Sequence, residues 1–178
     1  MPEPDRNQQS LFVVFLCTGN AARSVIAGAA LSQHLPSAVV ATAGTLVVEG
    51  QPMSIRTRAA LEAVGLAPPV HRSRQAVDGE LRLADLIVGL APEHVSWIRR
   101  ELPHLAARTG TLRRLCRDLS PAATLLEERI KALRLAEVEL EGWEEVIDPG
   151  GGDVPDFERC AREIVELVPV LAAAIGAS

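Results

Sequence analysis

Cysteine is scarce in this chain: Cys17, Cys116 and Cys160 are the only three in 178 residues, odd in number and far apart. That excludes a disulfide framework as the source of stability and makes a reducing cytoplasm the expected setting. Long apolar runs are missing as well. Leu11 to Leu16 is only six residues, and the alanine-rich C-terminal stretch is interrupted by Glu163, Glu166 and Pro169. Neither reads as a membrane span or a secretory signal, so no membrane role is expected. Lysine is nearly absent, with Lys131 alone beside seventeen arginines, and the formal net charge is −5. An acidic balance of this kind excludes a broad basic surface for nucleic acid or anionic lipid. The four histidines are too dispersed for a metal site, and the chain has no internal repeat.

What is present suits one compact unit. A hydrophobic fraction of 48% supplies a sizeable core for this length. The expected division is a flexible leader over residues 1–10 and a single domain over 11–178. Apolar runs and helical patterns alternate along it. Strands are expected at Leu11–Leu16, Ala38–Ala43, Ala84–Gly89 and Thr111–Leu115. Helices are expected from Arg23 to Leu31, from Ser54 to Val64 with Gly65 as terminator, from Pro92 towards Arg100, as one long or broken helix over Ala122–Glu141, and from Asp156. Such alternation favours an α/β fold with a parallel sheet covered by helices on both faces.

The segment Cys17-Thr18-Gly19-Asn20-Ala21-Ala22-Arg23-Ser24 sits between the first strand and the first helix. Five residues between Cys17 and Arg23 let a short loop wrap a tetrahedral anion, with backbone N–H groups turned inward and the arginine returning as a two-pronged donor. The same donors stabilise negative charge on sulfur. Cys17 is then a nucleophile towards phosphorus, and Thr18, Gly19, Asn20, Ala21, Ala22, Arg23 and Ser24 form the phosphate-binding loop. Gly19 would allow an unusual backbone angle or close anion approach. Asn20 and Ser24 have two readings, one bracing the loop and tuning the thiolate, the other making local turn and capping bonds. The bland reading of Cys17 itself is a packed strand-end thiol.

Thiolate attack on a phosphate ester also needs a proton donor for the leaving oxygen. Asp148 is the candidate, after Val146-Ile147 and before the rigid Pro149. The competing reading is that Asp148-Pro149 starts a turn, with Asp153 and Asp156 as local rivals and Asp156 the apparent N-cap of the last helix. His71 and Arg74 read as loop or surface residues. Trp97 and Trp143 read as packing residues before binding anchors, and Arg99, Arg100, Arg113, Arg114 and Arg117 read as a solvated face.

Taken together, Val14 to Ser24, Ala43-Gly44-Thr45, His71 to Gln75, Ala84 to Ile87 and Val146 to Pro149 resemble the low-molecular-weight protein-tyrosine phosphatase family, in order and over nearly the whole chain. The resemblance implies a three-layer αβα sandwich around a central four-stranded parallel sheet. It implies Cys17 as nucleophile, Arg23 as phosphate clamp, Asn20 and Ser24 as loop supports, and Asp148 as general acid and then base, with no metal and no cofactor. It also implies a cysteinyl-phosphate intermediate, with a phosphorylated protein or small phosphomonoester as substrate. The leading expectation is therefore a cytoplasmic phosphatase acting on protein phosphotyrosine or related phosphomonoesters.

The departures from the family pattern bear on the substrate. Ala22 replaces the cysteine that many members carry beside the loop arginine, so protection of an oxidised Cys17 would fall to another thiol, including an external thiol reductant. Ala21 replaces a bulky apolar residue, and Gly150 and Gly151 replace the rings often found beyond Asp-Pro. Leu46, Val47 and Val48 follow Gly44-Thr45 without an aromatic wall. Phosphoarginine hydrolases of the wider family resemble the chain at Cys17 to Asn20 and in the glycines after Asp-Pro, although the threonine associated with their selectivity would fall at Ala21. The remaining alternatives are an arsenate reductase coupled to an external thiol and a non-catalytic phosphoprotein-binding module.

Overall fold

The computed structural model describes residues 10–176, so the expected leader lies outside the described residues except for Ser10. Strand β1 (Phe12–Cys17) shows why its sequence is an unbroken apolar run. Val13, Phe15 and Cys17 enter one core and Val14 and Leu16 another, so neither face of the strand meets water. Complete burial of side chains such as Phe15 and Leu16 contributes roughly 1.5–3 kcal/mol each.

The chain continues through α1 (Arg23–His34), β2 (Val39–Gly44), α2 (Ile55–Ala63), α3 (Asp78–Leu81), β3 (Leu86–Gly89), α4 (Pro92–Glu101), β4 (Thr109–Thr111), α5 (Leu112–Asp118), α6 (Leu126–Ala132) and α7 (Val154–Gly176). The sheet is parallel in the order β2-β1-β3-β4. Residues of α1, α2, α5 and α7 fill the core on one face, and α3, α4 and the 3-10 segment Pro103–Arg108 supply the other. This is the expected three-layer αβα sandwich with a four-stranded parallel sheet.

Register decides where the loops meet. Cys17 pairs with Gly44 and Leu16 with Gly89, so β1, β2 and β3 end level with one another. Chain connections diverge to either side of β1, which places its following loop at a switch point of the sheet. Small residues make close packing possible behind that loop. A Cβ on Gly28 would stand 2.7 Å from Thr42 Cγ2, so α1 lies tightly over β2.

Helix ends follow local chemistry in α2 and α4. The Ser54 side chain accepts the Thr57 N–H at the start of α2, Gly65 stops it at φ 76°, and Pro92 opens α4. Four expectations require correction. The fourth strand ends at Thr111, whose hydroxyl caps α5 by accepting the Arg114 N–H, so Leu112 to Leu115 is helical. The long or broken helix expected over 122–141 is α-helical only at α6, with Arg134 at φ 50° beyond its end. There Arg99 donates to the carbonyls of Leu135 and Val138, which a continuous helix would have used internally.

Asp156 is not the N-cap of α7. Its carboxylate reaches back to accept the Asp153 N–H from inside the first turn, and Asp153 occupies the capping position. Nor is the arginine-rich face wholly solvated. Arg114 is buried against Glu144, which also accepts from Thr111. Burial alone would raise the Glu144 carboxyl, but the hydrogen bonds from Arg114 and Thr111 outweigh it and hold the group below the usual carboxylate range.

Candidate active site

The loop from Cys17 to Ser24 leaves the end of β1 and turns directly into α1. The turn is made at Asn20, with φ 50°, rather than at Gly19, which does not adopt a left-handed angle. Asparagine tolerates that region because its side chain bonds locally to the backbone or its neighbours. Four hydrogen bonds hold Asn20 there. Its Oδ1 accepts the Arg74 N–H at 2.9 Å, its Nδ2 donates to Ser24 Oγ at 3.0 Å and to Thr42 Oγ1 at 2.9 Å, and its carbonyl accepts from His71 Nε2 at 2.7 Å. The Arg74 N–H fixes the orientation of the amide, since only an oxygen can accept it.

That orientation sets the direction of the next bond. Ser24 Oγ accepts from Asn20, which leaves its own hydrogen for Cys17 Sγ, 3.0 Å away. The sulfur is buried at the strand end with a hydroxyl donor wired towards it. Both readings offered by the sequence for Asn20 and Ser24 therefore resolve towards loop bracing, and His71 and Arg74 take the loop-bonding role expected of them.

Arg23 is 2% exposed. Its Nη1 donates to the Val146 carbonyl at 3.1 Å and its Nη2 to Asp148 Oδ2 at 3.0 Å. The Val146 N–H in turn donates to the Leu90 carbonyl, so the segment carrying Asp148 is laid against the loop after β3. Asp148 is half-exposed, and its other oxygen accepts the Gly150 N–H at 2.9 Å. The turn and the site contact thus coexist in one carboxylate. Asp156, by contrast, is spent on the start of α7 and Arg159.

The second loop, after β2, closes over the first. Thr45 and Leu46 donate their N–H groups to the carbonyls of Cys17 and Thr18, both at 3.0 Å. Gly44 has no room for a side chain, since a Cβ there would stand 2.5 Å from Thr18 O and 2.9 Å from Asn20 N, both backbone atoms. Leu46, Val48 and Ile147 are exposed, as is Ala21, and Ala22 is buried. A shallow pocket of about 140 Å³ lies beside Asp148, lined by Ile147, Pro149, Gly150 and Gly152 among others.

Sequence reasoning missed the contribution of the loop after β3. The Ala91 N–H donates to His94 Nδ1 at 3.0 Å, which leaves Nε2 as the protonated nitrogen of a neutral ring, facing Thr18 Oγ1 at 3.1 Å. Thr18 Oγ1 then donates to Glu93 Oε1 at 3.2 Å. Glu93 also stands 3.9 Å from Arg23 Nη2. The available signal was Pro92-Glu93-His94 opening a helix after a parallel strand, where functional loops converge.

Burial, reinforced by the positive charge of Arg23, pushes the His94 imidazole down to about 3. The unfolded chain binds a proton that the folded chain refuses, so stability is complete above the ordinary value of 6.5 and is lost as pH falls through it towards 3. Urea unfolding at pH 6 and pH 5 is expected to show a steeper loss in the wild-type protein than in His94→Asn. The difference approaches about 1.4 kcal/mol per pH unit. Equal slopes would show that His94 is not held neutral by the fold.

The other two thiols are unsuited to attack. Burial pushes Cys116 up to about 11 and Cys160 up to about 12, and all three cysteines are free. Among the described residues no cluster suited to a metal ion occurs, and no helix is long and apolar enough to cross a membrane.

Comparison with known proteins gives this geometry its context. A family model described as low molecular weight phosphotyrosine protein phosphatase matches residues 12–126. A protein-arginine-phosphatase of Geobacillus stearothermophilus is 30% identical over 102 residues, covering 57% of this chain and 68% of that protein. The solved YwlE arginine phosphatase from Geobacillus stearothermophilus shares the fold with a TM-score of 0.71 at 24% identity, over 91% of this chain and 90% of that one. A low molecular weight protein tyrosine phosphatase from T. tengcongensis gives a TM-score of 0.71 at 26% identity, over 91% and 97%. The chain belongs to the low molecular weight phosphotyrosine protein phosphatase family and is a cysteine-based phosphatase.

Proposed function

We propose that this phosphatase acts on phosphoarginine in proteins, with Cys17 as nucleophile, Arg23 as phosphate clamp and Asp148 as general acid and then base. The observation that carries the substrate assignment is the pair of carboxylates beside the cradle, Glu93 and Asp148, which stand 3.9 and 3.0 Å from Arg23 Nη2. The five aromatic side chains each have a partner or a core position of their own. Phe12 and Phe15 belong to β1, Trp97 packs on the second core, Trp143 lies over Arg117, and Phe157 is buried with Arg56 above it. A guanidinium gains from carboxylate partners, which a phosphotyrosyl ring cannot use. The 30% identity to a protein-arginine-phosphatase supports the same reading.

The chemistry follows from the positions of these groups. The Cys17 thiolate attacks phosphorus while the loop N–H groups and Arg23 hold the equatorial oxygens. The S–P bond forms as the P–N bond breaks, and Asp148 gives its proton to the departing nitrogen, which leaves on arginine as a guanidinium. Asp148, now a carboxylate, takes a proton from water as that water attacks the cysteinyl phosphate. The S–P bond then breaks, phosphate departs and the thiolate returns with the Ser24 hydroxyl directed at it. Before substrate enters, the Arg23–Asp148 contact occupies the clamp, so phosphate binding exchanges one partner of Arg23 for another.

Phosphotyrosine is the competing substrate, favoured by the exposed aliphatic rim of Leu46, Val48 and Ile147. Kinetics of freshly reduced enzyme on phosphoarginyl and phosphotyrosyl peptides of one sequence separates the two. The expected kcat/KM ratio favours phosphoarginine by roughly tenfold or more. A preference for phosphotyrosine would overturn the assignment, and binding without turnover of either peptide would favour a phosphoprotein-binding module.

A further inference from the structure

We propose that Glu93 is a second recognition carboxylate, which holds the guanidinium of a phosphoarginyl substrate from the side of the cradle formed by α4. This rests on the phosphoarginine reading above and adds to it a specificity-determining residue outside the phosphate-binding loop.

A bland account of Glu93 is available, because an acid in the first turn of a helix is stabilised by the helix dipole while its side chain points into water. That account predicts no contact with the loop. Instead Glu93 Oε1 accepts from Thr18 Oγ1 at 3.2 Å, stands 3.4 Å from His94 Nε2, and lies 3.9 Å from Arg23 Nη2. Neutral His94 and Thr18 together orient the carboxylate through a directed chain that begins at the Ala91 N–H. The Glu93 side chain is nevertheless 65% exposed, so it is held towards the cradle and open to an incoming group.

Charge balance supplies the functional argument. Asp148 Oδ2 and Glu93 Oε1 both approach the same nitrogen, Arg23 Nη2. When a phosphoryl group takes that guanidinium, both carboxylates lose their cation. Asp148 is neutral while it carries the proton it will deliver, which leaves Glu93 as an anion next to a dianionic phosphoryl group. An aryl phosphate brings nothing to offset this repulsion. Phosphoarginine brings its own cation, attached directly to phosphorus through nitrogen, with further N–H groups that match a carboxylate in a planar arrangement. One residue therefore favours the guanidinium substrate and disfavours the aryl one, the two components of specificity. It also offers a source of selectivity in a chain whose loop carries Ala21 instead of threonine.

The test is the ratio of kcat/KM for a phosphoarginyl peptide to that for p-nitrophenyl phosphate, in the wild-type enzyme, Glu93→Gln and Glu93→Asp. Loss of a charge-assisted hydrogen bond and of the repulsion is expected to lower the ratio about 10- to 100-fold in Glu93→Gln. Glu93→Asp, which keeps the charge on a shorter stem, should fall between. A parallel fall on both substrates, leaving the ratio unmoved, would assign Glu93 to loop support and overturn the proposal. Wild-type enzyme idle on phosphoarginyl peptide but active on p-nitrophenyl phosphate would remove the phosphoarginine reading and this proposal with it. An active wild type with an unchanged ratio in Glu93→Gln overturns the role of Glu93 alone.

Discussion

Cys17→Ser is expected to lower turnover by about 10⁴-fold or more while phosphate still binds. A serine hydroxyl at this position has the same backbone anchor at the end of β1 and the same neighbour, Ser24 Oγ, which stands 3.0 Å from the native sulfur. What it lacks is ready ionisation. A thiol ionises far more readily than a hydroxyl, so the thiolate is available where an alkoxide is not. The groups that hold phosphate are otherwise untouched, so competitive inhibition by inorganic phosphate should persist in the variant. Acid-quenched wild-type enzyme examined by mass spectrometry should carry phosphate on Cys17 during turnover, and the variant should carry none on cysteine. A serine variant within tenfold of wild-type turnover would mean that Cys17 is not the nucleophile.

Arg23→Lys should cost about 10³-fold in kcat/KM and weaken phosphate inhibition as well, which distinguishes it from Cys17→Ser. The native guanidinium is almost wholly buried and uses its two terminal nitrogens on different partners, the Val146 carbonyl and Asp148. Lysine keeps the charge but has no planar fork. It cannot hold the Val146 carbonyl and also present two parallel donors to a phosphoryl group. Leaving that buried carbonyl without a partner adds a stability cost of about 1–3 kcal/mol, to be read from chemical unfolding. Because Val146 precedes Asp148 by two residues, the variant also loosens the segment that carries the proposed acid. Initial-rate kinetics with phosphate as inhibitor measures both effects, and kcat/KM within tenfold of wild type would exclude Arg23 as the clamp.

The two substitutions divide the site into a part that the local sequence specifies and a part that it does not. Cys17, Asn20, Arg23 and Ser24 fall within eight residues, and a strand followed at once by a helix leaves few ways to connect them. Their spacing was enough to indicate an anion loop. It did not single out the left-handed residue, because Asn20 is held at φ 50° by Thr42, His71 and Arg74, none of which is near it in sequence. The errors further along have a similar origin. The helical pattern over 122–141 gave no sign that Arg99 would take carbonyls beyond α6, and the short segment 111–115, apolar only at Leu112 and Leu115, did not distinguish a strand from a helix capped by Thr111.

The sequence by itself determined the unbroken strand buried on both faces, the α/β alternation, the loop that follows β1 and the residue types able to do thiolate chemistry. Those features depend on near neighbours and on hydrophobic periodicity, which are written into adjacent positions. Only the tertiary structure decided that Asp148 and Glu93 approach the same nitrogen of Arg23 and that His94 sits neutral behind Thr18. Contacts across 70 or more residues arise because β1 and β3 are neighbours that end level in the sheet, so loops distant in the chain emerge together. Strand order and register are properties of the assembled sheet, and no local spacing encodes them.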